Sequence, residues 1–191
     1  MAGISLVTGG CRSGKSRFAL EKGNAFDGRK IFVATCPKID DEMDQRIRKH
    51  QEERKGGNWE TIEEPLELHN VFRNLSSNEE KILVVDCLSL WINNQLYKFQ
   101  NEGKLLDESL VRKFVTNFLD AARSCSPGKV IFVTNEIGLG VVPESSLIRI
   151  YRDLLGLCNQ IVAKEADEVY LLISGIPIRL KTEEGIKNER I

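Results

Sequence analysis

At 191 residues the chain fits a single domain with a real hydrophobic core, and its 41% apolar and 29% charged residues are those of a soluble globular protein. Lys and Arg number 27 against 28 Asp and Glu, so no global charge draws the chain to nucleic acid or to an anionic membrane, and any polyanion must be met locally. The five cysteines form no CxxC pair and no zinc spacing, which speaks for a reducing, cytoplasmic setting; no window approaches the ~20 apolar residues of a membrane span, and MAGISLVTGG reads as unexported.

The first predicted element is ISLVT (4–8), one of five short apolar, β-branched runs that recur along the chain. The others are KIFVAT (30–35), KILVVD (81–86), KVIFVT (129–134) and EVYLLIS (168–174). Both faces of each run are apolar, as in parallel strands buried on both sides. Helical spacing fills the gaps. Phe18, Ala19 and Leu20 follow the first strand. A helix starting near Asp40 carries Ile39, Met43, Ile47 and His50 along one face. The polar stretch 97–106 reads as a surface excursion. Leu110, Phe114, Val115, Phe118 and Leu119 form a stripe behind Asp107, an expected N-cap, and Leu147, Tyr151, Leu154, Leu155 and Cys158 form another behind Pro143. SGIP (174–177) turns the chain into IPIRLK, an added antiparallel edge strand. Residues 182–191 read as a charged, mobile tail. Strand and helix alternate from end to end, which predicts one α/β domain over 1–181: a P-loop NTPase-like, mostly parallel open sheet with helices on both faces and ligands at the carboxyl ends of the strands.

Directly after the first strand, TGGCRSGKS satisfies G-x-x-x-x-G-K-S with Gly9, Gly14, Lys15 and Ser16. Glycines let the backbone curl until successive N–H groups face phosphate oxygens. Lys15 sets a positive charge against the β- and γ-phosphates, and the Ser16 hydroxyl suits Mg²⁺. The run ILVVD ends in Asp86, where a metal-orienting acid belongs.

A nucleotide loop leaves the reaction open. A regulatory GTPase lacks its parts here, since VTNEIG has Glu136 where an NKxD lysine would stand and Asp86 is followed by Cys-Leu-Ser, with no DxxG glycine. A motor acting on nucleic acid is disfavoured by the balanced charge. A small-molecule kinase is the simplest remaining class. His50, in RIRKHQEER, has Arg46 and Arg54 four residues to either side. Two guanidiniums would lower the imidazole pKa and leave a nucleophilic nitrogen, as attack on phosphorus requires, although a structural histidine in a charged helix fits the same pattern. His69 carries no such flanking pair.

Taken together, LVTGGCRSGKSRFAL, VATCPKIDDEMDQRIRKHQEER, WETIEEPLEL, VVDCLSLWINN, VTNEIGLGVVPE and YRDLLGLCNQIVAKEADEVYLLISGIP resemble the bifunctional adenosylcobinamide kinase/adenosylcobinamide-phosphate guanylyltransferase family of cobalamin biosynthesis. The resemblance implies phosphorylation of the aminopropanol hydroxyl of adenosylcobinamide by ATP or GTP. Transfer of GMP from GTP onto that phosphate would follow, with loss of pyrophosphate, through a GMP-histidine intermediate. It places the adduct on His50 and implies a phosphate site from Gly9 through Gly10, Cys11, Arg12, Ser13, Gly14 and Lys15 to Ser16. Ala34, Thr35 and Cys36, together with Gln51, Glu52, Glu53 and Arg54, would line the nucleotide; Glu63 and Asp86 would complete the site, with Mg²⁺ on Ser16 and Asp86. Position 51 is Gln where relatives carry a basic residue, which shifts the phosphate grip toward Lys49, Arg46 and Arg54. NEIGLGVVPE (135–144) suits the approach of ligand or a neighbouring subunit, and relatives suggest a trimer. The alternatives are a monofunctional P-loop kinase and a GTP-binding regulatory protein.

Overall fold

The computed structural model describes residues 1–37, 52, 54, 56–75, 78–125 and 128–182, and the backbone of 185–186. In chain order the elements are β1 (Gly3–Gly9), α1 (Lys15–Asn24), β2 (Arg29–Ala34), β3 (Trp59–Glu63), α2 (Leu68–Asn74), β4 (Lys81–Asp86), α3 (Leu88–Asn101), α4 (Glu108–Arg123), β5 (Gly128–Val133), α5 (Ser146–Glu165), β6 (Glu168–Ile173), β7 (Ile176–Thr182) and β8 (Gly185–Ile186). The strands form one eight-stranded sheet in the order β3-β2-β4-β5-β1-β6-β7-β8. Pairing is parallel from β3 through to β6 and antiparallel from β6 to β8.

The apolar runs are continuous because each strand feeds two cores. Leu6, Val33, Val85 and Phe132 point to one side and meet α2, α3, α4 and α5, where Phe72, Trp91, Phe118 and Leu155 are buried. Their sequence neighbours Val7, Phe32, Val84 and Ile131 point to the other, where Ala19 and Leu20 of α1 cover them. Helices thus lie on both faces, four on one and α1 on the other among the described residues. Asp107 caps α4 as its position foretells, its Oδ1 accepting the Leu110 amide at 2.9 Å.

The structure departs from the sequence expectations in several places. Residues 97–101 are the last turns of α3, with Phe99 packed on the core, so the surface excursion begins only beyond Asn101. Leu147 is exposed: residues 146–150 at the start of α5 are all exposed, and the stripe packs on the core from Tyr151 onward. β7 is antiparallel but has β8 outside it, so part of the stretch read as a tail pairs with Thr182 and Lys181. β3 and α2 were not expected. β3 has a mostly exposed, polar pattern with no apolar run to betray it, and α2 spans only seven residues.

At the amino edge of the sheet, Arg123 at the end of α4 ties three segments together. Its guanidinium donates to Asp167 Oδ2 at 2.6 Å and Oδ1 at 3.0 Å and to the Ala2 carbonyl at 2.9 Å, while the Ile4 amide donates to Asp167 Oδ2 at 2.7 Å. Partial burial raises the Asp167 pKa, but the bonds from Arg123 and the Ile4 amide outweigh it and hold the carboxyl below the usual carboxylate range. A depressed folded pKa gives stability that is complete above the unfolded value near ~3.9 and lost as pH falls through the folded one. Asp167→Asn is therefore expected to cost about 1 kcal/mol at neutral pH, a figure reduced for partial exposure, and the cost should shrink as urea melts are repeated at successively lower pH through the carboxylate range. A pH-independent difference would contradict this assignment.

Candidate nucleotide site

The parallel register aligns the strand ends. Ala34 at the end of β2 pairs with Asp86 at the end of β4 and with Glu63 at the end of β3, and Asp86 pairs with Val133 of β5. The Glu64 amide donates to the Ala34 carbonyl at 2.9 Å, holding Glu63 in that row. β5 in turn lies beside β1, which runs into the glycine loop. Glu63, Ala34, Asp86 and the loop from Gly9 to Ser16, far apart in sequence, share one edge of the sheet.

The loop is pinned from outside. The Glu136 amide donates to the Gly9 carbonyl at 3.0 Å, and the Gly175 amide of the β6–β7 turn donates to the Ser13 carbonyl at 3.0 Å. Gly9 and Gly14 have φ of +150° and +94°, and Arg12 takes the left-handed value of +54°. Gly10, Cys11 and Arg12 are exposed, and Ser13 and Lys15 are buried. Lys15 opens α1 and is only 7% exposed; its Nζ donates to the Gly10 carbonyl at 2.5 Å and to Ser13 Oγ at 3.4 Å. Burial lowers the Lys15 pKa, and the nearby Cys87, Asp86 and Cys11 act through charge in the opposite direction. Gly14 sits at the N-cap of α1 without a side-chain cap, so the positive end of that helix faces the loop.

Thr35, fully buried, is the joint between β2 and β4. Its hydroxyl accepts from the Cys87 amide at 2.7 Å and donates to the Cys87 carbonyl at 2.8 Å, and its carbonyl accepts from Asn94 Nδ2 at 2.8 Å. The Cys87 thiol is pushed up to about 12 by burial first and by Asp86 second, and stays neutral against Ser89 Oγ at 2.9 Å. Cys36 lies beside Thr35, half-buried, with Sγ 3.6 Å from the Pro37 carbonyl. Asn94 and Glu64 are structural members of the site that sequence spacing did not single out. Asn94 also donates to the Pro65 carbonyl at 3.1 Å, and Glu64 Oε1 accepts the Leu66 and Glu67 amides at 2.9 and 2.8 Å. Helical spacing in LSLWINNQL puts Asn94 on the turn after Trp91, which is the signal that could have found it.

Of the residues in RIRKHQEER, Glu52 is exposed and Arg54 is buried against Phe32 on the α1 side of the sheet. His50, Arg46, Lys49, Gln51 and Glu53, and the helix expected from Asp40, lie outside the described residues. No three His, Cys, Asp or Glu side chains form a metal cluster among the described residues. Mg²⁺ needs none, because it keeps waters and phosphate oxygens and takes one or two protein oxygens, which the Ser16 hydroxyl and Asp86 carboxylate are chemically suited to give. Among the described residues no helix is long and apolar enough to cross a membrane.

Residues 5–180 match the family described as cobinamide kinase / cobinamide phosphate guanyltransferase. The chain is 35% identical over 182 residues to the bifunctional adenosylcobalamin biosynthesis protein CobU of Escherichia coli K12, covering 92% of this chain and 98% of that protein. It is 38% identical over 179 residues to the bifunctional adenosylcobalamin biosynthesis protein CobP of Pseudomonas aeruginosa, covering 93% and 97%. Among solved structures, an ATPase from the type III secretion system of pathogenic bacteria superposes with a TM-score of 0.59 at 9% identity. That match covers 90% of this chain and about half of that one, so it bears on the fold alone, which is of the P-loop ATPase kind. With a glycine-rich loop after β1, an acid-ended strand one place removed from it in the sheet and a match along nearly its whole length, the chain belongs to the cobinamide kinase / cobinamide phosphate guanyltransferase family.

Proposed function

We propose that one nucleotide pocket, built on the loop from Gly9 to Ser16, serves both reactions of the family in this chain. The observation that carries the proposal is the loop itself. A Cβ on Gly9 would run into the Leu172 carbonyl and lie 2.8 Å from Ser13 Oγ, whereas one on Gly10 would meet nothing within 4 Å. The backbone is closed on the protein side and open on the outer side, as a cradle for an anion must be.

In the kinase step the γ-phosphate of ATP or GTP takes the place that the Gly10 carbonyl and Ser13 hydroxyl fill around Lys15 Nζ. Lys15 and the loop amides hold the charge that gathers on the phosphoryl as the aminopropanol hydroxyl of adenosylcobinamide attacks in line. Mg²⁺, when held by Ser16 and Asp86, supplies further charge neutralisation. In the transferase step a nitrogen of His50 attacks the α-phosphorus of GTP, the bond to the bridging oxygen breaks and pyrophosphate leaves. An oxygen of adenosylcobinamide phosphate then attacks the same phosphorus, the N–P bond breaks and adenosylcobinamide-GDP forms. The covalent route splits one displacement at the α-phosphorus into two. Glu63, Ala34, Thr35 and Cys36 line the nucleotide from the β2 and β3 side, with Arg46, Gln51, Glu52 and Glu53 contributed by the His50 segment. The substrates are nucleotides and a corrinoid, which suits the cytoplasm.

We further infer a homo-oligomer, a trimer by the family resemblance. Leu139, Val141 and Val142, at 88%, 93% and 64% exposure, and Ile148 at 50% stand in and just after the segment that leaves β5 beside the loop. Apolar residues so exposed together favour a protein contact, and a corrinoid fits a groove between subunits better than one within this small domain.

Three outcomes test this account. Gly9→Ala should weaken GTP binding at least tenfold and lower stability by about 1–3 kcal/mol, while Gly10→Ala should leave stability within about 0.5 kcal/mol; equal losses in titration and thermal melts would refute the cradle. With GTP labelled at the α-phosphorus, the wild type should retain acid-labile, alkali-stable label and His50→Ala none; undiminished labelling of the variant would remove His50 from the mechanism, and absent labelling of the wild type would favour a monofunctional kinase. Sedimentation should give a multiple of the chain mass that falls to one chain in Val141→Asp/Ile148→Asp, and a monomeric wild type would exclude the shared groove.

A further inference from the structure

We propose that Arg54 is a positioning residue for the nucleotidyl-transfer step, tethering the chain that bears His50 to the sheet. The inference rests on His50 being the nucleophile, as proposed above. Arg54 is only 7% exposed. Its guanidinium carbon lies 3.8 Å from the centroid of the Phe32 ring, and Nη2 donates to Thr61 Oγ1 at 3.3 Å. Phe32 and Thr61 are register partners on β2 and β3, so the planar group spans a cross-strand pair on the face of the sheet that α1 also covers. A guanidinium over an aromatic face, away from water, is held by cation–π attraction that an exposed one does not gain.

The chain beyond Arg54 is closed down as well. The Arg54 carbonyl accepts from the Gly57 amide at 3.2 Å, and Trp59 Nε1 donates to Asn24 Oδ1 at the end of α1 at 2.9 Å. A Cβ on Gly57 would lie 2.6 Å from Trp59 Cδ1, and one on Gly23 of α1 would overlap the same indole. Stack, turn and indole fix Arg54 and residues 57–59 against α1, β2 and β3. His50 is four residues upstream, and four residues span at most about 14 Å when fully extended. The stack therefore limits how far the imidazole can travel from Phe32. The ring and the Thr61 bond together hold the guanidinium to the β2–β3 pair.

The test separates position from grip by measuring the rate of label transfer from α-labelled GTP to the protein against GTP concentration. Arg54→Lys keeps the charge and loses the planar stack. Phe32→Leu keeps the arginine and loses the ring, and Phe32→Tyr keeps both. Arg54→Lys and Phe32→Leu are each expected to slow adduct formation at saturating GTP about tenfold with the KM for GTP changed less than twofold, and Phe32→Tyr to match the wild type. A KM raised tenfold or more in Arg54→Lys, with the saturated rate unchanged, would make Arg54 a phosphate ligand. A Phe32→Leu rate equal to wild type would equally overturn the proposal. Should the wild type form no adduct, the histidine mechanism fails. Amide exchange over a peptide spanning 54–62 then decides the tether separately: faster exchange in Arg54→Lys and Phe32→Leu than in the wild type supports it, and unchanged exchange sinks it.

Discussion

Parallel pairing across the sheet is the constraint on which the site depends. β3, β2, β4, β5, β1 and β6 all run the same way, so their carboxyl ends fall on one edge and their connections must return across the faces. Among the described residues that return buries α1 on one side and four helices on the other, which is why the strands are apolar on both faces. It also sets β5 between the loop strand and the strand of Asp86. Lys15 and Asp86 are nonetheless near enough for the carboxylate to act on the ammonium. No single segment makes this site; pairs such as Ala34 with Asp86 and Ala34 with Glu63 do.

Lys15 shows how the edge is prepared for anions. A buried ammonium is costly, and its lowered pKa records that cost. The Gly10 carbonyl and Ser13 hydroxyl offset part of it, but both are neutral acceptors. On the proposed reading a triphosphate brings full negative charge to the same ammonium, so that charged partners replace neutral ones. The rigidity comes from elsewhere in the fold, through the Glu136 and Gly175 amides on the loop carbonyls. Cys87, close to Lys15 and Asp86, is excluded from nucleophilic chemistry by the same burial, since its thiol stays protonated.

Much of this was legible in the sequence, and the limits are physical. The β-branched runs announced the five central strands, and Asp107 announced the start of α4. The loop was legible because its chemistry is local: eight consecutive residues carry the glycines, the lysine and the serine. β3 was not, because an outer strand of five residues with mixed exposure needs no apolar run. Leu147 was misplaced because helical spacing reports which residues share a face and not whether the core extends far enough to cover them. Thr35 entered through family resemblance; its role as a joint depends on Cys87 and Asn94, 52 and 59 residues away, which no local pattern encodes. Arg54 and Phe32 are 22 positions apart and meet only because β2 and β3 are neighbours.

A covalent route through histidine makes contradictory demands on such a fold. The phosphate loop works by being immovable, with its amides fixed before the nucleotide arrives. In the proposed mechanism the kinase step puts the corrinoid hydroxyl at the γ-phosphorus, and the transferase step puts an imidazole at the α-phosphorus two bridging oxygens away. One rigid constellation cannot present both nucleophiles in line unless they approach from different sides. Dividing the labour resolves the conflict: a fixed cradle on β1 and α1 for the phosphates, and a separate segment for the nucleophile, joined to the sheet at a defined point. Arg54 and Trp59 are suited to be that point, since their anchors are Phe32, Thr61 and Asn24, none of which belongs to the phosphate loop. On that proposal the nucleophile is tuned at the anchor while the cradle keeps its shape.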